Sequence, residues 1–475
     1  MIDGYDFVVL GGGTTAYAAA RKGANMGARV LMVEHSKLGG TTINWGAIPS
    51  KILVHKAQTY FEARRGAEFG LNMSSSRPDW ARLMADKEAT VSRLRTEHFT
   101  GPLDGDERID LLQGHARFIS PHELQVGGEI VRADKFIIAT GGVPRVVRIP
   151  GLERIRYLTS YSVCHVNALP ESLIILGGGV VALETGQTFA RFGTRVTLLE
   201  RGPSLLTDFD PRLTAVLGEI VSKEGMRVLY NAELQRVDPA AGGVAVQVRR
   251  DGADETLQAD QFMLAIGTAP ASDNIGLEVA GVACDSRGFI QVDEQMRTTA
   301  PHIWAAGDVI GAPLIAPAGI YEGRIAAENL MDAKVHRQRL SRQMPMCVFI
   351  DPELAMVGFN AEQAAAEGLS VVESYVELDR VEKSHVMGHR RGGILLWAEA
   401  GSGRVLGCQM LVPGAAEVIH EAAMAVRFGL NVRDIAETVH VYPTIADGLR
   451  MAALENLKQQ RILGHEVPGN RCICF

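Results

Sequence analysis

Residues 6–20 read DFVVLGGGTTAYAAA, and residues 173–186 read LIILGGGVVALETG. Each is an apolar strand, a glycine-rich turn and a helix rich in small residues. Gly11, Gly13 and Ala16 fill the G-x-G-x-x-G/A positions of the first copy, and Gly177, Gly179 and Ala182 those of the second. The first glycine makes the tight turn. The second lets a pyrophosphate approach the backbone. The small third residue lets helix pack on strand, so the phosphates meet the helix N-terminus. The strands that follow, RVLMVE (29–34) and RVTLLE (195–200), end in Glu34 and Glu200. Each acid stands the same distance beyond its first glycine, where a carboxylate accepts hydrogen bonds from ribose hydroxyls. One copy alone is weak evidence. Two copies with matched strand, helix and acid predict a chain with two dinucleotide-binding units.

Working outward, FIIATGGVP (136–144, with Gly141) and FMLAIGTAP (262–270, with Gly267) each follow one copy and are expected to return the chain to the sheet. TTAPHIWAAGDVIG (298–311) places Asp308 at the end of an apolar strand. The expected order is a first dinucleotide unit over 1–150, a second inserted over 151–270, and completion of the first over 271–340. Mixed strands and helices follow over 341–465, then a tail over 466–475. The predicted class is α/β: two Rossmann-like domains plus a C-terminal α+β domain.

The 475 residues allow ample core, and 47% hydrophobic with 22% charged residues is ordinary for a globular protein. A net charge of −7 gives no reason to expect nucleic acid or an anionic membrane as partner. No apolar run is long enough for a transmembrane helix. The chain enters a strand at Tyr5 without a basic and apolar leader, so the expected location is the cytoplasm. The six cysteines are scattered, unlike a secreted disulfide framework. Cys164, Cys284, Cys347 and Cys408 are expected to behave as small core hydrophobes, whereas Cys472 and Cys474 stand paired in the tail.

Between the first copy and its sheet lies GGTTINWGAIPSK (39–51), and near the C-terminus lies HVYPTIADGLRMAAL (440–454). With the two cradles and the Gly-Asp pair, this ordered set resembles the class I pyridine nucleotide–disulfide oxidoreductases over nearly the whole chain. Within that class it is similar to the soluble pyridine nucleotide transhydrogenases and the mercuric reductases. The resemblance implies FAD in the first unit, NAD(P)H in the second, and a homodimer through residues from about 341. It implies that Gly307-Asp308 contacts the ribityl and phosphate part of FAD, that Thr41 and Thr42 lie against it, and that Lys51 sits near flavin N5 with Glu184 as its partner carboxylate.

Two departures from the family pattern agree with each other. The family writes GGTCxNxGCxPSK, and here Thr42 and Ala47 stand in the cysteine places. Neither can form a disulfide, a thiolate or a charge-transfer contact. The family's HAHPT reads HVYPT here, so the resemblance makes His440, which keeps the first place, and Tyr442, which replaces the base, candidate catalytic residues. A tyrosine, with an ordinary pKa of about 10, is a poor base at neutral pH. Asp447 replaces the glutamate that orients that base.

The expected function is therefore an FAD-dependent NAD(P)H oxidoreductase that reduces its acceptor directly from flavin, the acceptor being a second nicotinamide nucleotide or a quinone-like molecule. NADH is the expected donor, because Glu200 accepts from a ribose 2′-hydroxyl and repels a 2′-phosphate. One alternative is a metal ion reductase using Cys472 and Cys474 as soft ligands. The other is a flavin-bearing sensor or structural protein without turnover.

Overall fold

The computed structural model describes residues 1–73, 77–340 and 343–469. They form two compact units. The first comprises Met1–Glu171, Val237–Val244 and Ala259–Leu340, and the second Ser172–Arg236, Ala245–Gln258 and the described residues after 342.

The core of the first unit is a parallel sheet. Strand Phe7–Leu10 lies between Val30–Glu34 and Phe136–Ile138, with Ile109–Gln113 and Ile303–Ala305 at the edges. The runs FVVL and VLMVE are buried throughout. That is expected of parallel strands covered on both faces, which need no polar alternation. Helix Thr14–Asn25 covers the sheet with Ala16, Ala19, Ala20 and Gly23. A Cβ at Gly23 would fall 2.4 Å from Phe7 Cζ, so glycine sets how closely helix meets strand. The strand ends around Gly141 and Gly267 pair with each other: Gly142–Pro144 runs antiparallel to Thr268–Pro270. Arg145 N donates to Gly267 O (3.0 Å) and Ala271 N to Gly141 O (3.0 Å), closing a two-stranded ribbon.

In the second unit Ser172–Leu176, Arg195–Leu199 and Arg227–Leu229 form the same parallel arrangement, with helix Val180–Phe192 after the first strand. Its C-terminal part is a five-stranded antiparallel sheet in the order Met346–Val348, Glu353–Gly358, Val405–Val412, Gly393–Glu399, Val371–Glu377. Helices Ala415–Phe428 and Ala446–Ile462 bury Ile419, Ala422, Leu449 and Ala452 in its apolar core. The long helix is keyed by polar contacts: Ser374 Oγ donates to Ala452 O (2.8 Å) and Asn456 Nδ2 to Val372 O (2.9 Å). The observed class is the predicted one. Among the described residues no helix is long and apolar enough to cross a membrane.

Candidate functional site

Gly11 has φ +121°, and a Cβ there would lie 2.3 Å from Ala139 O. Only glycine makes this turn without displacing the neighbouring strand. Helix Thr14–Asn25 then starts from Gly13 with no side-chain cap. Its first N–H groups are left for an anion. A Cβ on Gly13 would meet nothing closer than Gly40 Cα at 3.7 Å, so that face is open to a ligand.

Gly12 has a role that the motif does not demand. A Cβ there would fall 2.8 Å from Glu34 Cγ, so its absence seats the acid. Glu34 Oε1 accepts from Ser36 N at 2.6 Å. The second copy repeats the positive-φ turn, the seated acid and the uncapped helix start. Gly177 has φ +125°, and a Cβ on Gly178 would fall 2.6 Å from Glu200 Oε2. Glu200 Oε1 accepts from Gly202 N at 2.5 Å, and Gly179 opens an uncapped helix. The middle glycine of each triplet was the signal in the sequence, repeated in both copies, that pattern matching passed over.

The segment 39–51 folds against the first cradle by backbone contact. Gly39 N donates to Gly12 O (2.8 Å), and a Cβ on Gly40 would come 2.7 Å from Gly13 Cα. A short helix Gly40–Asn44 and a long one, Ala47–Arg64, follow. Pro49 is tolerated in the first turn of the long helix, where its missing N–H costs nothing. Asn44 knits the bend, with Nδ2 donating to Leu38 O (2.9 Å) and Gly40 O (3.0 Å) and Oδ1 accepting from Arg95 (2.7 Å). Thr42 Oγ1 lies 3.3 Å from Thr14 Oγ1 at the start of the cradle helix. Thr41 Oγ1 donates to the Tyr161 hydroxyl (2.9 Å), which donates onward to Gly142 O (2.6 Å). Burial raises the Tyr161 pKa, opposed by the bond from Thr41. Trp45 stacks on the Tyr161 ring at 5.4 Å and 17°. Lys51 is half-buried in the first turns of the long helix.

Asp308 lies in a helical turn, Gly307–Ile310, just after strand Ile303–Ala305. Burial raises its pKa, and the nearby Glu322 carboxylate adds to the effect. Its carboxylate makes no hydrogen bond or ion pair among the described residues. Thr140 Oγ1, at the end of the Phe136–Ile138 strand, is buried with no partner among them. Two polar groups without partners, an open glycine and an uncapped helix N-terminus fit a bound dinucleotide. Sequence reading missed Thr140, Tyr161 and Glu322, and no local pattern marks them.

In the second unit Glu184 is buried on helix Val180–Phe192, and its Oε1 accepts from Phe349 N at 2.9 Å. The same helix face carries Gln187, whose amide brackets Asp351 through its N (2.8 Å) and O (2.9 Å). Next comes Arg191, paired with Glu224 (2.7 Å) and Asp351 (2.9 Å). Glu184, Gln187 and Arg191, about one helical turn apart, thus grip residues 349 and 351 along one helix face. Both ring nitrogens of His440 are taken, by Thr438 O and by Glu421 Oε1, each at 2.8 Å. Tyr442 is 67% exposed and follows the exposed Val439 (95%) and Val441 (77%). Asp447 is committed to Arg450 at 2.6 Å, and orients nothing at Tyr442 by that bond. Cys472 and Cys474 lie outside the described residues. Among the described residues no cluster of three or more metal-ligating side chains occurs.

Residues 5–323 match the pyridine nucleotide-disulphide oxidoreductase family, and residues 344–453 match its dimerisation domain. Mercuric reductase of Bacillus cereus is 33% identical over 450 residues, 95% of this chain and 71% of that one. Dihydrolipoyl dehydrogenase of Thermus scotoductus is 35% identical over 461 residues, 96% and 98% of the two chains. The solved structure of the HOCl-induced flavoprotein disulfide reductase RclA from Escherichia coli superposes with a TM-score of 0.84 at 29% identity, covering 95% of this chain and 99% of that one. The likeness runs through both cradles and the C-terminal sheet, and with it the chain belongs to the pyridine nucleotide–disulphide oxidoreductase family as an NAD(P)H-dependent flavin oxidoreductase.

Proposed function

We propose that this chain moves a hydride from NAD(P)H to FAD and passes the electrons straight to an acceptor, a second nicotinamide nucleotide or a quinone-like molecule. The observation that carries this reading is segment 39–51, where Thr42 and Ala47 replace electron-accepting thiols. Thr42 turns its hydroxyl to Thr14, and Ala47 begins a helix. Bound flavin supplies a two-electron store between donor and acceptor. The chain's own residues bind and bias it. The uncapped helix Thr14–Asn25 takes the pyrophosphate and Glu34 the ribose. The Lys51 ammonium favours the electron-rich reduced ring. Glu184, fixed by Phe349 N, occupies the motif position of the family's partner carboxylate. Tyr442, exposed on its own chain, completes the flavin site of a second copy in a homodimer. A monomer by light scattering with full activity contradicts that assignment.

Anaerobic mixing with nucleotides, followed by a panel of acceptors, tests the proposal. NADH is expected to bleach the flavin about tenfold faster than NADPH, since like charge beside Glu200 costs about 1.4 kcal/mol. Nicotinamide analogues or quinones are expected to re-oxidise it. Dihydrolipoamide and glutathione disulfide are not turned over. Robust turnover of either in a Cys472→Ser plus Cys474→Ser variant overturns the direct-transfer reading.

A second reading, metal ion reduction, is supported by the mercuric reductase relatives and by the tail cysteines. In that case the same double serine variant loses metal-dependent NADH oxidation and keeps transfer to dyes. Unchanged metal-dependent turnover removes the tail from the mechanism.

A further inference from the structure

Helix Ala316–Met331 lies against the first cradle with almost no space between backbones. A Cβ on Gly319 would fall 2.3 Å from Thr15 Oγ1, and one on Gly323 would fall 2.4 Å from Thr15 O. Between these glycines Glu322 is buried, and its Oε2 accepts from Gly307 N at 3.0 Å. Gly307 has φ +78° and directly precedes Asp308. The other oxygen of Glu322 accepts from Arg339 Nε at 2.6 Å.

Arg339 is brought there by a strap that turns back along the helix. Asn329 holds the strap through Arg337 N (2.9 Å) and Arg337 O (2.9 Å), and its Nδ2 also donates to Gln295 O (3.0 Å). Arg339 N donates to Glu294 O at 2.9 Å, and its guanidinium also donates to Ala312 O. None of these residues belongs to a dinucleotide motif.

We propose that Arg339 is a positioning residue for the flavin site: by neutralising buried Glu322 it holds the Gly307–Asp308 turn and sets the charge that Asp308 presents to FAD. This rests on the reading of Asp308 as a flavin contact. Burial raises the Glu322 pKa, and Arg339 and the Gly307 N–H oppose it. Glu322 in turn raises Asp308. Tyr161 also faces Asp308. With Arg339 present, Glu322 is a neutralised acceptor for Gly307. Without it, Glu322 is protonated below its raised pKa and an unpaired anion above it. The unpaired anion pushes against Asp308, so the loss of flavin affinity grows as pH rises.

The test is FAD titration of apoprotein by fluorescence at about pH 6 and about pH 8.5. Arg339→Met is expected to weaken FAD binding about threefold at the lower pH and about thirtyfold at the higher. Glu322→Gln keeps an acceptor for Gly307 and removes the charge. Added to Arg339→Met, it is expected to bring affinity back to within about threefold of wild type at both pH values, a non-additive rescue that lost packing does not produce. A loss independent of pH, or a double variant as weak as the summed singles, overturns the proposal. If Arg339→Met does not fold, Glu322→Gln alone is read in the holoenzyme. Loss of a nearby negative charge then raises the flavin midpoint potential, and an unchanged potential overturns the proposal. A wild-type chain that binds no FAD overturns the cradle reading instead.

Discussion

Gly11→Val is expected to yield protein without bound flavin, destabilised by about 3 kcal/mol or more. Valine at φ +121° is a steric outlier, and its Cβ would sit 2.3 Å from Ala139 O in the neighbouring strand connection. Overpacking adds to the backbone strain. The informative comparison is Gly13→Ala. Gly13 has an ordinary φ of −76°, and the added Cβ touches nothing closer than 3.7 Å. Its apoprotein is expected to melt within about 0.5 kcal/mol of wild type, because no protein atom is displaced. Its FAD affinity is nevertheless expected to fall, because the methyl occupies the approach of the pyrophosphate. Melting with and without FAD separates the two effects. Equal FAD affinity in Gly13→Ala and wild type contradicts the placement of the dinucleotide at this helix.

Lys51→Met is expected to slow flavin reduction by NADH about a hundredfold, the usual cost of removing one preorganised charge from a reacting centre. FAD content is expected to remain near wild type, since Lys51 lies in the first turns of Ala47–Arg64 and outside the cradle turn. The midpoint potential falls with the lost cation. Lys51→Arg restores part of the rate, because the charge returns with a different donor geometry. Stopped-flow bleaching under anaerobic conditions reads the effect, and a rate within twofold of wild type contradicts the role given to Lys51.

The two cradles were legible because strand, glycine turn, helix and acid are contiguous in the chain. Their internal logic is local too. Gly12 and Gly178 seat Glu34 and Glu200 from within the quoted stretches, although the motif leaves those places open. Contacts over long sequence distances were not legible. Thr41 meets Tyr161, and Glu322 meets both Gly307 and Arg339, because packed helices bring the segments together. No periodicity encodes that meeting. The C-terminal motif shows the opposite limit. His440 is a candidate catalytic group from its place in HVYPT, and the partners at its two nitrogens, Thr438 and Glu421, come from outside that motif. Tyr442 is the exposed group of the pair.

With Thr42 and Ala47 in the cysteine places, no dithiol beside the flavin is expected to share its electrons. An anaerobic dithionite titration of the holoenzyme, followed in the visible flavin band, tests it most directly. Full bleaching by a single two-electron equivalent per FAD, with no long-wavelength charge-transfer band, is the predicted result. Uptake of a further electron pair before the flavin bleaches, persisting in the Cys472→Ser plus Cys474→Ser variant, is the result that would contradict it.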